Sequence, residues 1–150
     1  MAVDFRNTDL RVNAALDALY GSVVNSGKLR IYDGSMPSGE PTTSGHGTLL
    51  AELTFGATAF GSAAAVSGQS YNQIQANAIT ADSSADAAGT AVHFLVTNSA
   101  GTTAYFEGTV GTSSADMIID NTTIAAGANV SVNESGQAFR VRLPKGWTTA

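Results

Sequence analysis

The fold is decided by a strand, a turn and a returning strand in the second half of the chain. The first strand reads Thr90-Ala91-Val92-His93-Phe94-Leu95-Val96-Thr97-Asn98. Val92, Phe94 and Val96 alternate with the remaining side chains, which is the two-residue period of a strand. The following Asn98-Ser99-Ala100-Gly101 has a glycine where a tight turn requires one. Thr102 to Val110 then returns, so the stretch predicts a β-hairpin.

A second hairpin is predicted near the C-terminus. It runs from about Ala128–Asn133 through the turn Glu134–Gln137 to the strand Ala138–Leu143. Alternation in the returning strand points three apolar side chains inward and two arginines outward; they are Phe139, Val141 and Leu143, and Arg140 and Arg142. Pro144 is expected to end the pairing, because proline has no N–H to donate.

Strand patterns also occur in the first half of the chain. Lys28–Asp33 alternates Leu29 and Ile31 with Arg30 and Tyr32, which predicts a half-buried strand. Residues 34–47 contain four glycines and two prolines, so we expect a long exposed loop, and loops of this length commonly bind or pack against something. Further strand candidates are Thr48–Phe55, about Ala59–Val66 and Tyr71–Ala81, followed by a second loop over 82–89.

One helix is predicted before these strands, over residues 7–20. Its apolar side chains recur at three- and four-residue spacing; they are Val12, Ala15, Leu16, Leu19 and Tyr20. Asn7 or Thr8 can cap its start, and Gly21 can supply a left-handed stop. The stripe of Leu16 and Leu19 either packs on a sheet or docks a neighbouring subunit.

Together these patterns predict a single, mainly β domain over residues 1–150. About seven to nine short strands at intervals of roughly 8–12 residues favour a sandwich or barrel. We expect an antiparallel β-sandwich, jelly-roll-like, with the amphipathic α-helix on or beside its sheet. Small residues fill 73 of 150 positions, and Leu, Ile, Val and Phe total only 32, close to the level at which composition suggests disorder. The core must therefore be lean.

Several classes of protein are disfavoured by composition. No cysteine occurs, which excludes disulfides, thiolate zinc sites and cysteine nucleophiles. Residues 1–6 lack the apolar region of a secretory signal, so no signal peptide is expected. The longest clearly apolar run, Ala63–Val66, is far shorter than the ~20 residues that a membrane helix requires, so no membrane association is expected.

Charge is segregated along the chain. The seven basic residues all lie outside 31–139, where nine acids occur; they are Arg6, Arg11, Lys28, Arg30, Arg140, Arg142 and Lys145. Such asymmetry marks an interaction surface or is accidental. Nucleic-acid binding is not expected, because with a pI of about 4.7 the chain lacks the basic stripe that neutralises phosphates.

Catalytic and metal-binding signatures are sparse. His46 and His93 are the chain's two histidines, and neither stands at ligand spacing from another histidine. The acid pairs Asp82/Asp86 and Asp116/Asp120 are weak calcium or glycosidase candidates and suit turns better. No nucleophile elbow or phosphate loop is present. We expect no enzymatic activity, no catalytic residues, no metal and no cofactor.

Five segments resemble a family of small structural proteins encoded by tailed bacteriophages. The helix-to-strand part is the most specific; the segments are Asn13–Leu19, Gly27–Pro37, Leu49–Phe55, Thr80–Ala91 and Gly108–Asp116. The resemblance implies a virion protein, made in the host cytoplasm. Within the virion we expect a capsid decoration, or cement, protein on the head surface. Its partners would be the major capsid protein and further copies of itself. The candidate contacts are Arg6, Arg11, Arg140, Arg142, Leu16 and Leu19.

Two alternatives stay open. A head-fibre or tail-associated module for a receptor or carbohydrate would need exposed aromatic side chains, and the candidates are Tyr32, Tyr71, Tyr105 and Trp147. An unrelated hydrolase would need His46 or His93 to meet a carboxylate in space.

Overall fold

The computed structural model describes residues 4–132 and 139–148, and over these ranges the chain is mainly β with one N-terminal helix, as predicted. The helical part consists of α1 (Asp9–Leu16) and a π-helical turn (Asp17–Gly21). The strands are β1 (Asp4–Arg6), β2 (Lys28–Tyr32), β3 (Leu49–Phe55), β4 (Ala64–Ala65), β5 (Tyr71–Gln75), β6 (Ile79–Thr80), β7 (Gly89–Thr90), β8 (His93–Thr97), β9 (Ala104–Gly111), β10 (Met117–Ile118), β11 (Thr123–Ile124), β12 (Arg140–Pro144) and β13 (Gly146–Thr148).

The largest sheet has six strands in the order β10-β9-β8-β2-β3-β6. β8 and β9 form the first predicted hairpin, and β2 lies between β8 and β3. The pairs are antiparallel except β9 with β10, so the sheet is mixed. The register places His93 opposite Tyr32 on one side and Thr109 on the other, which brings the end of β2 beside the start of β8.

The two faces of this sheet have different chemistry. One face carries apolar side chains that enter the main core; they are Leu29, Ile31, Leu53, Phe55, Phe94 and Val96. The other face carries Arg30, Tyr32, Glu52, His93 and Glu107. All five residues of β8 are buried, because its central position lets both faces be covered. Val92 precedes β8 and is 42% exposed, so the predicted alternation of Val92 with Phe94 and Val96 holds for the two residues inside the strand.

A smaller sheet has the order β12-β5-β4 and carries the helix. Asn72 on β5 donates from Nδ2 to Asn13 Oδ1 at 2.7 Å, which ties the sheet to α1. Phe139, which precedes β12, contacts the rings of Phe55 and Phe94. The two sheets therefore share one aromatic core.

The second predicted hairpin is wrong within the described residues. β12 pairs with β5, and Val141 lies opposite Ile74. Val130 instead bridges Asp82. The predicted alternation in β12 is confirmed, since Phe139 is buried while Arg140 and Arg142 are exposed. Local alternation identifies a strand but not its partner, and here the partner lies far away in the sequence. The turn predicted at 134–137 lies outside the described residues.

The N-terminal helix is confirmed with changed ends. Thr8 occupies the N-cap position with an extended backbone, whereas Gly21 does not adopt a left-handed conformation. Leu16 is fully buried, but Leu19 is 57% exposed, so the predicted stripe is divided: Leu16 packs in the core and Leu19 faces solvent. The cause is the π-helical turn, because its i→i+5 bonding widens the helix and rotates later side chains off the buried face. No helix in the described ranges has the length and apolarity to cross a membrane.

Candidate functional site

The loop 34–47 joins β2 to β3 and is closed at its neck. Asp33 N donates to Thr48 O at 3.2 Å, and Thr48 N donates to Asp33 Oδ1 at 2.7 Å. Gly34 and Gly47 meet between these bonds, where a Cβ on Gly47 would lie 2.7 Å from Gly34 Cα. Gly47 also has a φ of +86°, so both space and backbone conformation require glycine there.

The body of this loop is presented to solvent. Within 34–47 the one buried side chain belongs to His46, which is 3% exposed. Met36, Glu40, Pro41 and Thr43 are exposed. The predicted exposed loop is therefore confirmed except at His46, which anchors it to the sheet. A compact loop with adjacent ends and its own packing is a common form of binding element.

His46 reaches the polar face of the six-stranded sheet and meets His93, which is fully buried. Its Nδ1 lies 2.9 Å from His93 Nε2. The outer nitrogens contact backbone oxygens: His46 Nε2 lies 2.6 Å from Thr42 O, and His93 Nδ1 lies 2.8 Å from Gly34 O. The two rings thus connect the start and the end of the loop to strand β8.

The Tyr32 ring covers this histidine pair. Its centroid lies 4.7 Å from that of His46 and 5.3 Å from that of His93, with interplanar angles of 24° and 14°. These values describe offset stacking on both imidazoles. Burial raises the pKa of the Tyr32 hydroxyl against the opposing effect of Arg30. The predicted alternation of Tyr32 with Leu29 and Ile31 places it on the opposite face of β2 from the main core, and loop 34–47 covers that face and buries Tyr32.

Glu107 on β9 supplies a buried carboxylate beside the pair. Its side chain is 8% exposed, and its Oε2 lies 4.0 Å from His46 Nδ1. This oxygen meets no hydrogen-bond donor among the described residues. A buried oxygen without a donor carries a desolvation penalty, which a nearby positive charge offsets.

An ion network continues along the same face. Arg30 Nε donates to Glu52 Oε2 at 2.7 Å, and Lys28 Nζ lies 3.4 Å from Glu52 Oε1. Burial acts to raise the pKa of Glu52, but the hydrogen bond and charge of Arg30, together with Lys28, outweigh it and lower this pKa. Arg30 also donates to Gly101 O at 3.3 Å, which ties the network to the β8–β9 turn.

The histidine pair has groups able to move protons but no route for a substrate in the described structure. The two imidazoles are 3% and 0% exposed, whereas a general base must reach the proton that it removes. No group of three histidine or acidic residues in the described part could hold a metal ion. The arrangement is suited to holding the loop.

A cleft of about 550 Å³ separates β9 and β10 from β12. Most of its lining residues are apolar, and they include the rings of Tyr20, Phe94 and Phe106. Four charged side chains also line it: Glu107, Asp116, Arg140 and Arg142. Arg140 Nε donates to Gln75 Oε1 at 3.0 Å, and the Arg142 guanidinium lies 5.0 Å from the Tyr71 ring centroid. The cleft thus combines aromatic and charged groups.

The predicted contact residues differ in whether a partner could reach them. Arg6 lies on β1, which pairs with β13, and Asn7 N donates to Lys145 O. The basic segments at the two ends of the chain therefore adjoin. Arg11, Arg140 and Arg142 are exposed. Leu16 is buried and unavailable to a partner, whereas Leu19 is available.

The acid candidates accept backbone hydrogen bonds. Asp82 accepts from Ser84 N, as expected of an acid that shapes a turn, and also from Glu52 N on β3; Asp116 accepts from Thr109 N. Tyr105 is half-buried, and the Trp147 side chain lies outside the described residues.

The histidine pair is the feature that sequence reasoning missed. The two residues are 47 positions apart, so no spacing signals their contact. Comparison with models of known families, curated protein sequences and solved structures gives no match to this chain.

Proposed function

We propose that this chain is a non-enzymatic structural protein of a tailed-bacteriophage virion, a capsid decoration protein that binds and stabilises the head lattice. The sequence segments that resemble such proteins support this role. The protein would bind the major capsid protein and further copies of itself after synthesis in the host cytoplasm. The jelly-roll-like β-sandwich expected from the sequence is part of this proposal.

The observation that carries the proposal is the presented loop 34–47. Its neck is closed and His46 anchors it, so little conformational entropy remains to be lost when its exposed tip meets a partner. A rigid projecting loop suits repeated docking on a lattice. Each bound copy then stabilises the assembled shell by mass action, because it binds the assembled state in preference to separated subunits.

Exposed apolar residues near the N-terminus supply a second contact region. Leu10, Leu19 and Val23 are 79%, 57% and 44% exposed. Arg140 and Arg142 project from β12 and would meet acidic capsid surface, which sets orientation and association rate more than affinity.

Capsid binding tests the proposal directly. Purified protein added to shells stripped of it should restore their resistance to heat. Met36→Glu should reduce occupancy, because it places a charge on an exposed apolar side chain of the loop. Val92→Glu is the matched control, since Val92 has nearly the same exposure, 42% against 41%, and lies outside the loop. Unchanged shell stability, or location on the tail in assembled particles, would contradict the proposal.

The arginine contact is tested by charge reversal. Arg140→Glu with Arg142→Glu should lower capsid occupancy and weaken its dependence on salt. Thr112→Glu with Ser113→Glu adds acidic charge at an exposed turn and should leave occupancy unchanged. Equal occupancy for both double variants would exclude β12 from the contact.

A second candidate function is a head-fibre or tail-associated module for a receptor or carbohydrate. The cleft between β9–β10 and β12 favours it, because charged groups beside aromatic rings are typical of sites that hold a polar ligand. Glycan-array binding by the purified protein, lost in Arg142→Ala, would support this role. Binding to empty capsids without glycan binding would favour decoration.

A further inference from the structure

The hydrogen atoms of the histidine pair can be counted from its contacts. Thr42 O and Gly34 O are carbonyl oxygens, which only accept hydrogen bonds. The distances of 2.6 Å and 2.8 Å to them therefore require a hydrogen on His46 Nε2 and on His93 Nδ1. If both rings were neutral, each inner nitrogen would then carry a lone pair, and two lone pairs would face each other at 2.9 Å.

The relative orientation of the two rings limits what can occupy the space between His46 Nδ1 and His93 Nε2. The ring centroids are 5.1 Å apart and the planes differ by 29°, so with the nitrogens 2.9 Å apart the rings meet edge to edge. The two lone pairs point at one another along nearly the same line. A zinc ion would need them to converge on one point about 2.0–2.1 Å from each nitrogen. A proton fits this space, and a metal ion does not.

We propose that His46 and His93 share one proton between Nδ1 and Nε2, forming a buried singly charged bis-imidazole that locks loop 34–47 onto the sheet. The Glu107 carboxylate, 4.0 Å from His46 Nδ1, neutralises this charge. The Tyr32 ring adds the attraction of its π face for a cation within ~6 Å. The shared positive charge accounts for two features of the site: Glu107 Oε2 meets no donor in the part of the chain that the structure describes, and the Tyr32 ring stacks on both imidazoles.

The lock operates over a limited pH range. A second proton would place two imidazolium rings edge to edge, and loss of the shared proton would leave the two lone pairs opposed. The titratable and charged groups around the pair are Arg30, Tyr32, Asp33, Glu52 and Glu107. Burial lowers the pKa of His93 from its ordinary 6.5, and the positive charge of His46 acts in the same direction, while the Gly34 hydrogen bond, Glu107 and Asp33 oppose them.

The lowered pKa of His93 determines how acidification affects the stability of loop 34–47. This lowered pKa describes uptake of the second proton, which the fold disfavours. The stability lost through this second protonation is still present at pH 6.5 and above, and it disappears as pH falls toward the lowered value. Loop 34–47 should therefore loosen on acidification below 6.5. It should also loosen on the alkaline side, when the shared proton leaves.

Nitrogen-15 NMR of the histidine side chains in the wild-type chain tests the proposal. At neutral pH we expect protonated outer nitrogens on both rings, and inner nitrogens with shifts between those of an N–H and a bare nitrogen. A strongly deshielded proton should couple to both inner nitrogens. Two neutral rings with one outer nitrogen bare would overturn the proposal, as would a stoichiometric metal found by elemental analysis.

A charge variant tests the counter-ion. Glu107→Gln should shift release of the shared proton to lower pH, because the neutral amide no longer favours the cation. Glu40→Gln removes an exposed acid from the same loop and should leave the titration unchanged. If Glu107→Gln and Glu40→Gln titrate alike, Glu107 is not the counter-ion and the proposed charge balance is wrong.

Discussion

The two faces of the six-stranded sheet are both covered, but by different means. The apolar face holds Phe55 and Phe94 against Phe139, in a core that also includes residues of the smaller sheet. The polar face holds Tyr32, His93 and Glu107 under a loop that contributes one buried side chain, His46. Burial of the first face is driven by the removal of apolar surface from water. Burial of the second depends on hydrogen bonds and charges being matched.

This difference sets how each face responds to change. An apolar contact is non-directional, and neighbouring side chains can relax partly around a substitution. A buried polar contact leaves its partner unsatisfied when one member is lost. We therefore expect changes on the apolar face to reduce the stability of the whole domain, and changes on the polar face to act mainly on the loop and on pH dependence.

The largest effect is expected on the apolar face. Phe55→Ala should lower the free energy of unfolding by about 3–5 kcal/mol, because a buried aromatic side chain is lost and a cavity remains. Chemical denaturation measures the change. The exposed Val92→Ala should stay within about 0.5 kcal/mol of wild type. Similar losses in both variants would contradict the assigned core.

The second-largest loss of stability is expected at the neck of loop 34–47, where Gly34 and Gly47 are in close contact. Gly47→Ala should destabilise by about 1–3 kcal/mol through overpacking against Gly34, with about 1–2 kcal/mol more for its left-handed backbone. Gly39→Ala is the matched control, because Gly39 has a φ of +101° but no atom within 4 Å of the added Cβ. It should show the backbone effect alone. Equal thermal shifts would mean that the neck is not closely packed.

The polar face should control the loop. His46→Ala leaves His93 and the Thr42 carbonyl without their partners, at a cost of about 1–3 kcal/mol. Cleavage after Glu40 by a glutamate-specific protease should become faster, measured by mass spectrometry under native conditions. Thr43→Ala alters an exposed residue of the same loop and should leave the cleavage rate unchanged. An unchanged rate in His46→Ala would show that His46 does not hold the loop.

The smallest effect concerns Glu52. Its pKa is lowered in the fold, so its ion pairs contribute stability above its ordinary 4.5 that is lost as pH falls through the lowered value. Glu52→Gln should remove about 0.2–1 kcal/mol at neutral pH and flatten the acid limb of the stability curve. An acid limb as steep as that of wild type would assign the pH dependence to other carboxyls.

Much of the fold could be predicted from local patterns. Alternation at Lys28–Tyr32 and His93–Thr97, with the turn at Asn98–Gly101, specified three strands and one hairpin, because strand period and turn chemistry are local properties. The partner of β12 could not be predicted this way, since pairing with β5 depends on the whole sheet. The different burial of Leu16 and Leu19 could not be predicted, because a helical period assumes regular α-helix, and the chain forms a π-helical turn after Leu16.

The candidate site was less predictable than the fold. His46 and His93 were recognised as the chain's two histidines, but each stands among residues that give no hint of the other. No sequence pattern distinguished Glu107 from the other acidic residues of the chain. Only the closure of the loop over β2 and β8 gives these groups a common environment.

The sequence by itself determined the class of this protein, mainly β with an N-terminal helix, and the existence of an exposed glycine-rich loop. Tertiary structure alone decided which strands pair, which leucine faces solvent, and that the loop is held by two histidines. The physical reason is the sequence distance over which each kind of interaction acts. Backbone propensity and alternation act over a few residues, whereas a buried hydrogen bond between positions 46 and 93 exists only after the chain has folded back on itself.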